Sequence, residues 1–228
     1  MTLLISNDAL ELALPNILWH STMVDLIVCT ASNPCKLLES TLRHAETLVS
    51  NFKYLGADTT KFTLDYQSVM VNRMVEVLKS SGMDWVLNAD DDEFYIGPLR
   101  QVLESATAAD VMYTNGFCFY ETCYDSFDRN PVRRMTYRDP DTVDYGYRKA
   151  IHRAADFVST TNGNHFVALS KSNAQIAKSP NLLIYHYTFR RKTQVTSYPA
   201  ISAETVAEKN LVVDTTLPQL FDKIGIFV

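Results

Sequence analysis

Seven glycines and eight prolines in 228 residues, with no low-complexity tract and no internal repeat, leave nothing that reads as a flexible spacer or a repeat array. The four cysteines, Cys29, Cys35, Cys118 and Cys123, show no Cys-x-x-Cys spacing. In a chain this large an even count alone does not make a disulfide framework, so they read as reduced thiols. No apolar run approaches the roughly 20 residues that cross a bilayer. The opening residues have no basic stretch and reach Asn7 and Asp8 too soon for a secretion signal. The expectation is a cytoplasmic protein with no transmembrane segment. A net charge of −5 argues against a general nucleic-acid surface.

What is present is enough apolar residue, 46%, to bury a full core in one α/β domain. Thr2 to Ser6 reads as a first strand and Ala9 to Ser21 as a helix, with Leu10, Leu14, Ile17 and Leu18 on one face and Pro15 starting or bending it. Leu26 to Cys29 is a second strand. Asn33-Pro34 then reads as a cap with Pro at the first helical position, ahead of a helix carrying Leu37, Leu38, Leu42, Ala45, Leu48, Val49 and Phe52. Lys61 to Leu64 fits a third strand. From Tyr66 to Ser80, Val71, Met74, Val75 and Leu78 mark one helical face, and Ser80-Ser81-Gly82 stops it. Asp84 to Leu87 is a fourth strand, Pro98 opens a helix, and Val111 to Tyr113 is a strand. The alternation implies a mostly parallel central sheet flanked by helices. Phe117 to Tyr147 reads as a long irregular segment of the kind that covers a site. Ala150-Ile151, His165 to Leu169 and Leu182 to Tyr187 read as closing strands.

The densest signal is Trp85-Val86-Leu87-Asn88-Ala89-Asp90-Asp91-Asp92-Glu93-Phe94, an apolar strand ending in four acidic residues. Carboxylates this close raise one another's pKa unless a cation or a donor array offsets them. Alternation along an extended chain would put Asp90 and Asp92 on one side and Asp91 and Glu93 on the other. Such a carboxylate pair suits Mg²⁺ or Mn²⁺ with positions left for water and phosphate. It stands at the carboxyl end of a strand, where open α/β sheets bind ligands. A calcium-binding EF-hand loop begun at Asn88 would need Gly and Glu where Glu93 and Leu99 stand. An aspartate-nucleophile phosphatase would need Asp-x-Asp-x-Thr after an early strand, so it is only a minor alternative.

Taken in order, these segments resemble the glycosyltransferase family 2-like group, sugar-nucleotide-dependent transferases of GT-A (Rossmann-like) fold. Asn7-Asp8 stands where the group has Asn-Glu. Trp19-His20 followed by Met23 to Val28 is similar to its aromatic-His, Gly-Val-Asp, strand passage. Gln67 and Asn72 match polar positions of the helix before the acidic strand, and Trp85 to Phe94 resembles its Asp-x-Asp-Glu-Phe signature. Tyr147 to Ile151 resembles its Lys-x-Ile passage, Gly163-Asn164-His165 its Gly-x-His, and Tyr185-His186-Tyr187 with Arg190, Arg191 and Lys192 its late His with trailing basic residues. One departure is the second strand, which in the group ends in an Asp that helps hold the base, where this chain has Cys29-Thr30-Ala31-Ser32.

The resemblance implies a single GT-A domain over 1–228, with a nucleotide-binding part at about 1–115 and an acceptor and closing part, including an irregular acceptor-side loop region, at about 116–228. It implies a metal-dependent, inverting transfer of a sugar from a UDP- or GDP-sugar to a saccharide or other hydroxyl acceptor. Asp92 would be the metal ligand and Asp90 would share the metal or contact the ribose. His165 and His186 are the further ligand candidates, or are structural. Asn7, Asp8, Gln67, Lys149 and Arg190 would contact the donor, and Asp91 would be solvated. For the catalytic base the candidates are Glu121 and Asp125, with Asp128, Asp139, Asp141 and Asp144 competing, while Glu93 supports the metal or faces the acceptor. Tyr113, Phe117, Phe119, Tyr120 and Tyr124 would stack on sugars or pack in the core. The alternative is a non-catalytic carbohydrate- or nucleotide-binding relative.

Overall fold

The computed structural model describes residues 1–228 apart from 8–9, 60–63, 126–127, 129, 143–148, 161–164, 190–199 and 226–228. In chain order the elements are β1 (Thr2–Ile5), α1 (Leu10–Ser21), β2 (Ile27–Ser32), α2 (Lys36–Leu48), β3 (Phe52–Asp58), α3 (Leu64–Ser80), β4 (Trp85–Asp90), β5 (Glu93–Ile96), α4 (Leu99–Ser105) and β6 (Val111–Tyr120). There follow α5 (Pro131–Arg134), β7 (Tyr137–Arg138), β8 (Ala150–Arg153), β9 (Phe157–Thr160), β10 (Val167–Leu169), β11 (Ile176–Phe189), α6 (Ala203–Glu208), β12 (Val212–Val213) and α7 (Thr216–Ile224).

Strands β3, β2, β1 and β4 lie side by side and run parallel. Their side chains alternate between two helical layers, as a sheet covered on both faces requires. Leu3 and Ile5 of β1, with Ile27, Cys29 and Ala31 of β2, pack with Ala13 and Ile17 of α1 and Leu38, Leu42 and Ala45 of α2. Leu4, Val28 and Val86 face the other way and pack with Met70, Val71, Met74, Val75 and Leu78 of α3. The expected apolar face of α3 is thus the buried one. Chain order reverses at β1, since β2 and β3 lie to one side of it and β4 to the other. Open α/β sheets form their ligand crevice at such a reversal, here the carboxyl ends of β1 and β4.

Beyond β4 the sheet is mixed rather than mostly parallel. β8 runs antiparallel to both β4 and β6, and β11 lies between a parallel β6 and an antiparallel β5. Parallel neighbours need a crossover of a dozen or more residues, usually a helix. Between β6 and β8 the described helix is only Pro131–Arg134, so neighbouring strands there run mainly antiparallel.

Several expected boundaries move. The third strand is Phe52–Asp58, where Phe52 and Tyr54 alternate inward. Of the expected Lys61 to Leu64 strand, Leu64 begins α3 and 61–63 lie outside the described residues. Helix α2 ends before Phe52, and Leu37 and Leu48 on it are exposed because its buried stripe is narrower, through Leu38, Leu42 and Ala45. Its cap is Cys35, whose sulfur accepts from the Leu38 N–H, not Asn33, which takes φ 45°. Pro15 lies inside α1 rather than at its start. The irregular segment starts later than expected, because β6 runs on to Tyr120 and buries Phe117, Phe119 and Tyr120. Phe119 stacks on Tyr187 with ring centroids 4.6 Å apart, which explains why these aromatics belong to the core. The C-terminal α7, not placed from sequence, inserts Leu217 and Phe221 into the cluster of Trp19, Phe94 and Tyr187. No described helix is long and apolar enough to cross a membrane.

Candidate functional site

The acidic run is a turn rather than a continuous strand. β4 ends at Asp90, Asp91 and Asp92 reverse the chain, and β5 begins at Glu93. The expected alternation therefore fails. Glu93 joins Asp90, its carboxylate accepting the Asp90 N–H at 2.9 Å, while Asp92 faces elsewhere. Asp91, expected in solvent, is buried. It accepts the Ser6 N–H at 2.7 Å and the Ser6 hydroxyl at 3.0 Å, which ties the end of β1 to the turn across the crevice. A hydrogen-bonded carboxylate at a strand end needs no solvent to satisfy it.

Lys149 sits at the centre of this cluster, almost wholly buried, with its ammonium 2.7 Å from Asp90 Oδ2 and 3.4 Å from Glu93 Oε2. Burial alone would lower its pKa, but Asp90 and Glu93 outweigh that and hold it above the ordinary lysine value. Burial pushes Glu93 up, against the pull of Lys149. Gln67 donates to the other Asp90 oxygen at 3.1 Å, so the residues expected near the donor, Gln67, Asp90 and Lys149, are brought together.

Asp92 and His186 form a second pair, with Nε2 and Oδ1 3.3 Å apart. The Asp92 carbonyl also accepts the Tyr187 N–H at 2.8 Å, fixing the turn to β11. Burial disfavours a charged His186, yet the Asp92 carboxylate outweighs it and holds the imidazole well above its usual pKa. His165 lies within the field of Lys149, Asp90 and His186, and burial first, then Lys149, lowers it to about 4. Among the described residues no group of three or more His, Cys, Asp and Glu stands in metal-holding geometry.

A brace from α1, which sequence reasoning missed, holds the turn from behind. Asn16 donates through Nδ2 to the carbonyls of Asp91 at 3.1 Å and Glu93 at 2.9 Å. His20 Nδ1 lies 2.8 Å from Asn16 Oδ1, and its Nε2 accepts the Tyr95 N–H at 3.1 Å. Trp19 Nε1 donates to the Tyr95 carbonyl at 2.8 Å. β5 pairs with β11 along one edge, and these three side chains satisfy its other edge as a neighbouring strand would. The available signal was two polar residues four apart on an apolar helix, Asn16 and His20, both fully buried.

The remaining candidates stand apart from this cluster. Asn7 bridges loops, donating to the Asn33 carbonyl at 2.9 Å and accepting the Cys35 N–H at 2.6 Å. Asn72 accepts the Thr160 N–H at 2.9 Å. Glu121 is buried and ion-paired with Arg134 at 3.3 Å, and Asp125 accepts the N–H groups of Thr122 and Thr136. Asp139 accepts from the Tyr120 hydroxyl at 3.1 Å and Asp128 from the Asn130 N–H at 2.8 Å. Tyr124 is exposed, against Tyr137. Cys29 is not at the end of its strand, because β2 continues to Ser32. Asp8, Asp144, Tyr147, Arg148, Gly163, Asn164, Arg190, Arg191 and Lys192 lie outside the described residues.

No family model and no curated protein matches the sequence. Among solved structures, the chain is similar to HddC from Yersinia pseudotuberculosis at 9% identity and a TM-score of 0.46, over 81% of this chain and 92% of that one. For HddC complexed with GMP-PN the values are 8% and 0.36, over 82% and 90%.

Proposed function

We propose that this chain is a metal-dependent glycosyltransferase of GT-A type that moves a sugar from a UDP- or GDP-sugar to a hydroxyl acceptor. The observation that carries the reading is the Asp92–His186 donor pair on an acidic turn at the crevice where strand order reverses.

The donor set fits a cation that takes the place of the proton Asp92 holds on His186. Two ligands at about 2.1 Å on adjacent octahedral positions stand about 3 Å apart, close to the observed 3.3 Å between His186 Nε2 and Asp92 Oδ1. Carboxylate oxygen and imidazole nitrogen suit Mn²⁺, and Mg²⁺ less well. Two protein ligands agree with a site that leaves its other positions to water and phosphate. When bound, the cation would neutralise the charge that grows on the departing nucleoside diphosphate.

The other residues have separate work. Lys149 neutralises Asp90 and Glu93, so that the turn can present Asp92 without three carboxylates repelling one another. Gln67 and Ser6 fix the orientations of Asp90 and Asp91. Asn16 and His20 hold the backbone of the turn rigid, which keeps Asp92 within reach of His186.

A second reading, a nucleotide-sugar-binding relative without transfer, is favoured by one observation: both leading base candidates, Glu121 and Asp125, serve a separate network of Arg134, Thr122 and Thr136. Calorimetric titration with UDP- and GDP-sugars, with and without Mn²⁺, together with a turnover assay, separates the two. Metal-dependent binding with transfer supports the enzyme, binding without transfer or hydrolysis supports the relative, and no binding with metal present overturns both.

A further inference from the structure

We propose that Cys118 is a positioning residue for the cation seat, its thiol holding the His186 ring so that Nε2 faces Asp92. This rests on the cation-binding reading above and adds to it a residue that the acidic motif does not contain.

Strand register builds the contact. His186 on β11 stands opposite Cys118 on the parallel β6 and opposite Glu93 on the antiparallel β5. Side chains of directly opposed residues emerge on the same face of a sheet, so Cys118, His186 and Glu93 form one row across three strands. Within that row the Cys118 Sγ lies 3.9 Å from His186 Nδ1, while His186 Nε2 lies 3.3 Å from Asp92 Oδ1. The two ring nitrogens thus have different partners on opposite sides. Rotating the ring by half a turn would put carbon atoms in both places and lose both contacts.

Close strand approach makes the arrangement stiff. Gly116, two residues before Cys118, lets β6 lie so near β11 that an added Cβ would stand 2.6 Å from the Ile184 carbonyl oxygen. Cys118 itself is almost completely buried, so the thiol's position is set by packing rather than by solvent. A histidine that ligates a metal normally gives its other N–H to a neighbouring group, which fixes tautomer and ring orientation. Here Cys118 sulfur, a soft and weak partner, stands on the Nδ1 side of the ring, and Nε2 faces the seat. The glutamate on the other flank does not do this work, because Glu93 is turned toward Lys149 and the Asp90 N–H.

The test compares wild type, Cys118→Ala, Cys118→Ser and Asp92→Asn. Mn²⁺ affinity is read from the electron paramagnetic resonance signal of the free ion, and the His186 ring orientation from crystal structures of the metal-free proteins. Expected are a roughly tenfold weaker Mn²⁺ affinity and a His186 ring that departs from the wild-type orientation in Cys118→Ala. Cys118→Ser should recover most of both, since a hydroxyl also hydrogen-bonds with Nδ1. Mn²⁺ binding that Asp92→Asn abolishes but Cys118→Ala leaves at the wild-type value, with an unchanged ring orientation, overturns the role of Cys118 alone. Wild type that binds no Mn²⁺, or binds it equally well as Asp92→Asn, overturns the seat and the role of Cys118 together.

Discussion

Lowering the pH from 7.5 to 5 is expected to remove about 2 kcal/mol of folding stability through His20 alone. Its imidazole is fully buried and both nitrogens are committed: Nδ1–H donates to Asn16, and Nε2 accepts the Tyr95 N–H. A second proton on Nε2 would point at that N–H. Burial accordingly lowers the pKa from 6.5 to about 3. A base with a depressed folded pKa is neutral in the native state while the unfolded chain takes up a proton below 6.5. The stability is therefore complete above that pH and is lost on acidification until the folded pKa is reached. The slope is about 1.4 kcal/mol per pH unit, so one and a half units give about 2 kcal/mol, and a folded pKa of 4 instead of 3 would barely change the value at pH 5. The assay is urea unfolding of wild type and His20→Gln at both pH values. The variant should be less stable at pH 7.5, having lost a buried ring and its hydrogen bonds, but should lose about 2 kcal/mol less than wild type on acidification. An equal pH dependence in the two proteins would refute the reasoning.

Other perturbations probe other parts of the structure. His152, buried and lowered to about 4, should contribute a similar acid loss, seen as a shallower pH dependence of unfolding in His152→Gln. Lys149→Met should cost about 3–5 kcal/mol by leaving Asp90 and Glu93 without their buried cation, and a Glu93→Gln second change should recover part of it in urea unfolding. Gly97→Ala should cost at least about 2 kcal/mol, because Gly97 takes φ 125° and an added Cβ would strike the Asn181 carbonyl oxygen, and a thermal melt reads it. Phe221→Ala should cost about 3–5 kcal/mol if α7 is part of the aromatic core, whereas a change under about 1 kcal/mol would mean that α7 is not firmly docked.

Periodicity reveals those parts of the fold that rest on one repeating face. The stripe of Val71, Met74, Val75 and Leu78 is both the sequence pattern and the buried face of α3. Boundaries were less legible where strand and helix compete for the same residues, as at Phe52, which continues the α2 pattern but turns inward on β3. The acidic run was legible as a cluster and not as a geometry. Alternation holds only while the chain stays extended, and the reversal at Asp91 and Asp92 pairs Asp90 with Glu93 rather than with Asp92. Contacts across the sequence were invisible for a different reason. Nothing local to Cys118 or Asn16 says that one lies opposite His186 and the other reaches two carbonyls of the turn, because strand register and helix docking decide both.

The proposed cation seat between Asp92 and His186 is tested most directly by crystals soaked with Mn²⁺ and UDP, measured for the anomalous scattering of manganese. Expected is a peak within coordination distance of Asp92 Oδ1 and His186 Nε2, bridging to the diphosphate of the nucleotide. Nucleotide bound with no manganese at that pair, or manganese held by other residues, would contradict it.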